Sequence, residues 1–241
     1  MEREVKTLSI LLESPKHPLT VIIGGAKISD KVDAIHNLLA RADTILVGGA
    51  VANVFLKAQG KVLGSSFIED VFVDKAKREK KDWVEDAQQI LREAENLGKK
   101  ILCPTDLVIS NTVSIDMPTR IINIQREKVP PEWSALDIGP ETQKEFSAVI
   151  GQSKIVFING PMGKFEDKKF SQGSEVIFNA IKNIKKDSLG ETIVAGGDTI
   201  DAARAYGSLE DYSYVSLAGG ATLEFLAGKE LPALTLLTEE Q

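Results

Sequence analysis

Two lysines four residues apart, Lys27 and Lys31, follow a glycine pair in the segment GGAKISDK, residues 24–31. Further glycine turns stand at Gly48-Gly49, Gly160, Gly196-Gly197 and Gly219-Gly220. Glycine permits positive φ and close backbone approach. A helix that starts just after such a turn offers unpaired N–H groups and a partial positive charge. One turn of this kind is ordinary punctuation between strand and helix. Five on one edge of a sheet point to a ligand rich in phosphate. An anion held between the amides and the lysines would offset the small cost of placing Lys31 near a helix start, roughly 0.3–1 kcal/mol; the plainer reading is two solvated surface lysines. In GGDT (residues 196–199), Asp198 is either a helix N-cap or a Mg²⁺ ligand, since Mg²⁺ is commonly bound by one or two carboxylates with substrate phosphates and water. In INGPMGKFE (residues 158–166), Asn159 and Pro161 favour a tight turn, and Glu166 either holds sugar hydroxyls or is simply solvated. The chain has neither a G-x-x-x-x-G-K-[ST] loop nor a G-x-G-x-x-G fingerprint, so a phosphate site must be built another way.

These residues need a scaffold that brings their turns together. Short β-branched runs precede them: LTVII, TILV, KILC, KIVFI, TIVA and YVSL. Continuous apolar runs of this length predict strands buried on both faces. Helical periodicity fills the gaps: Val32, Ile35, Leu38 and Leu39 after Ser29 as N-cap; Trp83, Ala87, Ile90, Leu91 and Ala94 closed by Gly98; Val176, Ile177, Ala180, Ile181 and Ile184; and Val5, Leu8, Leu11 and Leu12 before Pro15. The alternation predicts a Rossmann-like, doubly wound α/β sheet of about six parallel strands with helices on both faces. Residues 105–133 are the least regular and are expected to carry shorter strands or a hairpin. Of the 241 residues, 43% are apolar and 27% charged, which excludes a disordered chain. No apolar run approaches the ~20 residues of a membrane span, and the opening MEREVKTLSI lacks the flank and core of a secretion signal. A single cysteine, Cys103, excludes an intrachain disulfide framework and fits a reducing cytoplasm. A net charge of −6 argues against duplex DNA as partner.

In this order, GGAKISDK, ILVGGAVANVFLKAQG, LDIGPET, INGPMGKFE, AGGDT and SLAGGATLEFLAGKELP resemble the C-terminal, nucleotide-binding half of phosphoglycerate kinases across nearly the whole chain. Residues 1–14 look like the helix joining that family's two halves, and residues 15–241 like its nucleotide-binding domain; the N-terminal, phosphoglycerate-binding half is expected to be absent. The resemblance implies phosphoryl transfer between 1,3-bisphosphoglycerate and ADP, giving 3-phosphoglycerate and ATP with Mg²⁺, in a cytoplasmic glycolytic enzyme without nucleic-acid or membrane partners. It implies that Lys27 follows the transferring phosphate, that Lys31 meets the nucleotide phosphates, and that Asp198 is the Mg²⁺-nucleotide ligand. Gly196, Gly197 and Thr199 then approach the phosphates. Gly25, Gly48 and Gly49 wall the nucleotide pocket, and Gly139 lies near the adenosine. Asn159 and Pro161 turn beneath the nucleotide, Glu166 takes the ribose, and Gly219 and Gly220 receive the phosphoryl group.

The chain departs from that pattern at Ala50 and Ala218, where glycine is usual, and at Leu217, Lys164 and Ile158. These departures bear on catalysis more than on fold. Without the other half, the chain is expected to bind nucleotide weakly and turn over negligibly. The alternative is a non-catalytic nucleotide-binding or scaffolding domain. His17 and His36 are read as structural, Cys103 and Trp83 as core, and KAKREKK (residues 75–81) as a solvated helix face. The apolar tail LPALTLL (residues 231–237) is expected to favour self-association or docking of the missing half.

Overall fold

The computed structural model describes residues 2–74, 79–111, 118–187 and 189–231. Six runs form one parallel sheet: β1 (Leu19–Ile23), β2 (Thr44–Val47), β5 (Lys100–Leu102), β9 (Ile155–Asn159), β10 (Glu191–Ala195) and β11 (Tyr214–Ser216). Between them lie two antiparallel insertions. β3 (Val71–Asp74) pairs with β4 (Glu79–Asp82), and β6 (Asp106–Ser110) is flanked by β7 (Thr119–Asn123) and β8 (Ser134–Ile138). The helices are α1 (Glu2–Glu13), α2 (Val32–Leu39), α3 (Gly49–Ala58), α4 (Trp83–Asn96), α5 (Pro140–Ile150), α6 (Gln172–Lys186), α7 (Gly197–Ala205) and α8 (Gly220–Leu226).

The sheet order is β11-β10-β9-β1-β2-β5, with every adjacent pair parallel. From β1 the chain winds outward through β2 to β5, then returns to β9 on the other side of β1 and winds out through β10 to β11. The direction of winding reverses between β1 and β9. Turns leaving these two strands therefore diverge and open a crevice at their C-terminal ends. The strands are covered on both sides. Val21, Ile23, Ile45, Val47, Phe157 and Ala195 pack with residues of α1–α4 and α8. Their alternate neighbours Ile22, Leu46, Val156, Ile158 and Val194 pack with α5, α6 and α7. The continuous apolar runs have this cause: a strand covered twice has no polar face. A third cluster, with Leu56, Leu63, Leu107, Ile109, Ile122 and Val129, seats the smaller sheet against α3. The irregular stretch 105–133 thus holds the expected hairpin, β6–β7, and the motif LDIGPET supplies the third strand of that sheet.

Two local expectations are corrected. Ser29 is not the N-cap of α2. The Ile28 carbonyl accepts from both Lys31 and Val32 N–H, closing a turn ahead of the helix. Lys31 takes the N-cap position without a side-chain cap, and the Ser29 N–H is claimed by Glu69. The described end of the KAKREKK segment is a strand where a helix face was expected. Residues 75–78 lie outside the described residues, and Lys80 and Lys81 are on β4. Asp82 accepts from the N–H groups of Val84 and Glu85, which fixes the start of α4 at Trp83, after the lysines. Lys81 pairs with Asp86 and sits over the Trp83 ring. At the other end of α4, Gly98 at φ +65° donates to Glu95 and Lys99 donates to Ala94, the helix stop predicted from the glycine. Beyond Leu231 the apolar tail lies outside the described residues. No helix among them is long and apolar enough to cross a membrane.

Candidate functional site

The turns that leave β1, β2 and β9 lock together through backbone hydrogen bonds. Gly24 N–H donates to the Asn159 carbonyl, Gly25 N–H to Pro161 and Gly49 N–H to Met162, each at 2.8 Å. Gly48 N–H donates to Ile23 at 2.9 Å. Such close approach excludes side chains. A Cβ on Gly160 would lie 2.3 Å from Gly24 C, and one on Gly24 would lie 2.1 Å from the Pro161 carbonyl oxygen. A Cβ on Gly48 would lie 2.4 Å from Met162 Sδ. In these glycine turns Gly24, Gly48, Gly49 and Gly160 are thus required first by the close packing of the turns. Gly197, Gly219 and Gly220 differ, because a Cβ there meets nothing within 4 Å. These three face open space.

Two clefts open on the C-terminal edge of the sheet, and these three glycines line the second. One, of about 410 Å³, has walls from the turns after β1 and β2, from β8 and from the segment 161–166. Its lining is mostly apolar, including Leu136, Ile138, Met162 and Phe165, and Glu166 and Lys164 are among its charged residues. The other, of about 460 Å³, is polar and is lined by Lys31, Asn159 and the starts of α7 and α8. Gly25 and Asp198 line both, so the clefts adjoin there.

In the polar cleft, α7 begins after Gly196, which at φ +98° brings no capping side chain. The first-turn amides are therefore left to an external partner. Asp198, exposed in this first turn, accepts no hydrogen bond and forms no ion pair among the described residues. The plainer reading of it as N-cap is thereby overturned, because Gly196 takes that position. Thr199 is buried; its hydroxyl oxygen accepts from Gly160 N–H at 2.6 Å and so ties α7 to the β9 turn. Asn159 donates from Nδ2 to the Ala195 carbonyl at 2.9 Å, a second tie between the same two corners. Lys31 is half-buried, and burial pushes its ammonium below the ordinary lysine value, against the attraction of Asp30, Asp198 and Glu69; Lys27 depresses it further. A cation held partly out of water beside open amides is poised to gain from an anion.

Of the residues named from sequence, Gly25, Gly49, Pro161, Glu166 and Asp198 line the apolar cleft, and Lys31, Asn159, Gly196, Gly197, Thr199, Gly219 and Gly220 line the polar one. Lys27 is exposed on the same turn as Lys31 but lines neither, and Gly48 lies beneath the floor. Gly139 also lines neither. It precedes α5, whose Glu141 and Thr142 N–H groups donate to the buried Asp106 carboxylate; a Cβ on Gly139 would lie 2.2 Å from Asp106 Oδ2. Sequence reasoning missed Asn53, which donates to the Phe67 carbonyl, and Asp137, both buried and both lining the apolar cleft. Nothing in their spacing set them apart from core positions of α3 and β8. Lys164 does stand on the cleft wall, whereas Ile158 is buried in the core.

His17 pairs with Asp43 and His36 with Glu93, and neither histidine lines either cleft. Burial pushes the Cys103 thiol up to about 12, which keeps it protonated near neutral pH.

The phosphoglycerate kinase family model matches residues 1–229. The phosphoglycerate kinases of Moorella thermoacetica and Herpetosiphon aurantiacus are each 40% identical over 240 residues, covering 100% of this chain and 57% of theirs. Among solved structures, phosphoglycerate kinase from Coxiella burnetii aligns with a TM-score of 0.86 at 36% identity, over 98% of this chain and 57% of that one. The enzyme from Pyrococcus horikoshii OT3 aligns with a TM-score of 0.81 at 32% identity, over 99% and 56%. The chain spans about half the length of the curated relatives it matches.

Proposed function

Because the chain belongs to the phosphoglycerate kinase family, we propose that it is the nucleotide-binding half of such a kinase, binding ADP and ATP with Mg²⁺ in the cytoplasm. In this reading residues 15–241 form the nucleotide-binding unit and residues 1–14 the connecting helix. The observation that carries it is the meeting of an apolar cleft and a polar, amide-rich cleft at Gly25 and Asp198. The first suits a base and ribose, with Glu166 at the sugar. The second suits a chain of phosphates, with Lys31 and the start of α7 supplying positive charge.

The free carboxylate of Asp198 fits a magnesium ion held largely by phosphate oxygens and water. No group of three or more potential ligands among the described residues would form a protein cage for a metal. When bound, the ion would neutralise phosphate charge. The reaction assigned to the whole enzyme is attack by a β-phosphate oxygen of ADP on the acyl phosphorus of 1,3-bisphosphoglycerate. The phosphorus–oxygen bond to the acyl group breaks, and 3-phosphoglycerate leaves as a carboxylate. Nucleophile and leaving group are both anions, so no general base is needed. What remains is positioning and stabilisation of charge. Asn159 and Thr199 hold the β9 and α7 corners in register, Lys31 binds the nucleotide phosphates, and Gly219, Gly220 and Lys27 face the group in transit.

The test is calorimetry with Mg-ADP on the chain and on Asp198→Ala. Binding by the parent, with affinity for Mg-ADP reduced in the variant and affinity for magnesium-free ADP little changed, is expected. Absence of binding by the parent would overturn the reading. A coupled kinase assay with a phosphoglycerate-binding half supplied in trans separates catalysis from simple nucleotide capture.

A further inference from the structure

Asp137, on β8, is only 4% exposed and lines the apolar cleft. It stands where three elements meet. Its Oδ2 accepts from Gly173 N–H in the first turn of α6 at 2.7 Å, and its Oδ1 accepts from Ile138 N–H at 2.9 Å. Two glycines press on it. A Cβ on Gly163 would lie 2.3 Å from Oδ1, and one on Gly173 would lie 2.2 Å from the same atom. Next to Gly163, Lys164 N–H donates to the Leu136 carbonyl at 2.8 Å. The wall formed by residues 163–166 is therefore laid directly along β8 and over this carboxylate. No basic side chain pairs with Asp137 among the described residues. The titratable groups around the corner are Tyr206, just after α7, with Glu175 of α6 and Glu166 of the wall. Burial, and then the charges of Asp137, Glu175 and Glu166, push the Tyr206 phenol up.

We propose that Asp137 is a positioning residue for the nucleotide: its ionised carboxylate holds the start of α6 against β8, and so keeps the surface on which the Gly163 corner packs and from which the wall carrying Glu166 continues. The proposal rests on the nucleotide reading of the cleft. Both oxygens face N–H donors, so the ionised form satisfies both amides. A proton removes the charge that assists both bonds and makes the oxygen that carries it a poorer acceptor, which weakens the corner. Burial pushes this carboxyl up to about 7, against the pull of the two amides, so its charge changes near neutrality. Nucleotide binding needs the wall in place and therefore favours the ionised form. Affinity falls as pH drops through neutrality.

The experiment compares Mg-ADP affinity of the chain and of Asp137→Asn on both sides of neutrality. Comparing the two proteins at each pH cancels the titration of ADP itself. On the alkaline side the variant should bind roughly tenfold more weakly, the loss of one charge-assisted hydrogen bond. On the acid side the two affinities should converge. In the parent protein, the carboxyl carbon resonance of Asp137 should titrate at a lower pH with ADP bound than without, a readout that does not depend on the variant folding. A midpoint unmoved by ADP, or a variant that binds as tightly as the parent on both sides, overturns the role of Asp137. A parent that binds no ADP at either pH removes the nucleotide reading itself, and this proposal with it.

Discussion

Replacing Gly160 and Gly197 by alanine, one at a time, should separate a glycine the fold requires from one a ligand requires. Gly160 has φ +93°, and its Cβ would stand 2.3 Å from Gly24 C and O and 2.8 Å from Gly25 N. These obstacles are backbone atoms in the middle of the sheet edge and cannot rotate away. An L-residue in the left-handed region costs about 1–2 kcal/mol, and overpacking a tight interior costs about 1–3 kcal/mol more. Gly160→Ala should therefore lose roughly 2–5 kcal/mol, a large part of the 5–15 kcal/mol typical of a domain. Gly197 lies in the first turn of α7, and its Cβ would meet nothing within 4 Å. Gly197→Ala should leave stability unchanged or raise it by about 0.4–1 kcal/mol through the unfolded chain. Its methyl would instead stand in the polar cleft and displace a phosphate oxygen from the helix amides. Losing one such charge-assisted contact, about 1.5–3 kcal/mol, weakens Mg-ADP binding roughly tenfold to a hundredfold. Urea unfolding and calorimetry on both variants read the two effects separately. If Gly160→Ala unfolds within about 1 kcal/mol of the parent, or Gly197→Ala is as unstable as Gly160→Ala, the division between packing and ligand glycines is wrong.

Two further outcomes follow from the same geometry. Burial lowers the Lys31 value, and a bound phosphate must raise it again, so as pH rises into the range where Lys31 titrates nucleotide binding should take up a proton and weaken. Calorimetry in two buffers of different ionisation enthalpy measures this uptake; its persistence in Lys31→Met would assign the proton elsewhere. Asp106 caps α5 from β6, receiving Glu141 N–H, Thr142 N–H and the Thr142 hydroxyl at 2.9, 2.8 and 2.6 Å. Asp106→Ala should cost roughly 2–4 kcal/mol in chemical unfolding, and a loss below about 1 kcal/mol would show that water replaces the cap.

The order of strands and helices was legible because the four inner strands of the large sheet are buried on both faces and the helices on one, and hydrophobic periodicity records burial. The glycine turns were legible as well, since few other residues accept positive φ. The β3–β4 hairpin was not legible, because strand pairing satisfies its backbone whatever the side-chain pattern, and a lysine run reads as any solvated surface. The start of α2 was misread at Ser29 because Glu69, forty positions away, claims its N–H. Sequence alone determined which residue types face the crevice, and their order carried the family. Tertiary structure alone decided which glycines open to a ligand and which only fill one another, and it alone brought Asp137 against Gly163 and Gly173. Those assignments depend on contacts between segments well separated in sequence, Asp137 with Gly173 and, much further apart, Gly24 with Asn159. Local spacing cannot encode them, because the distance across the sheet edge is set by how every strand packs.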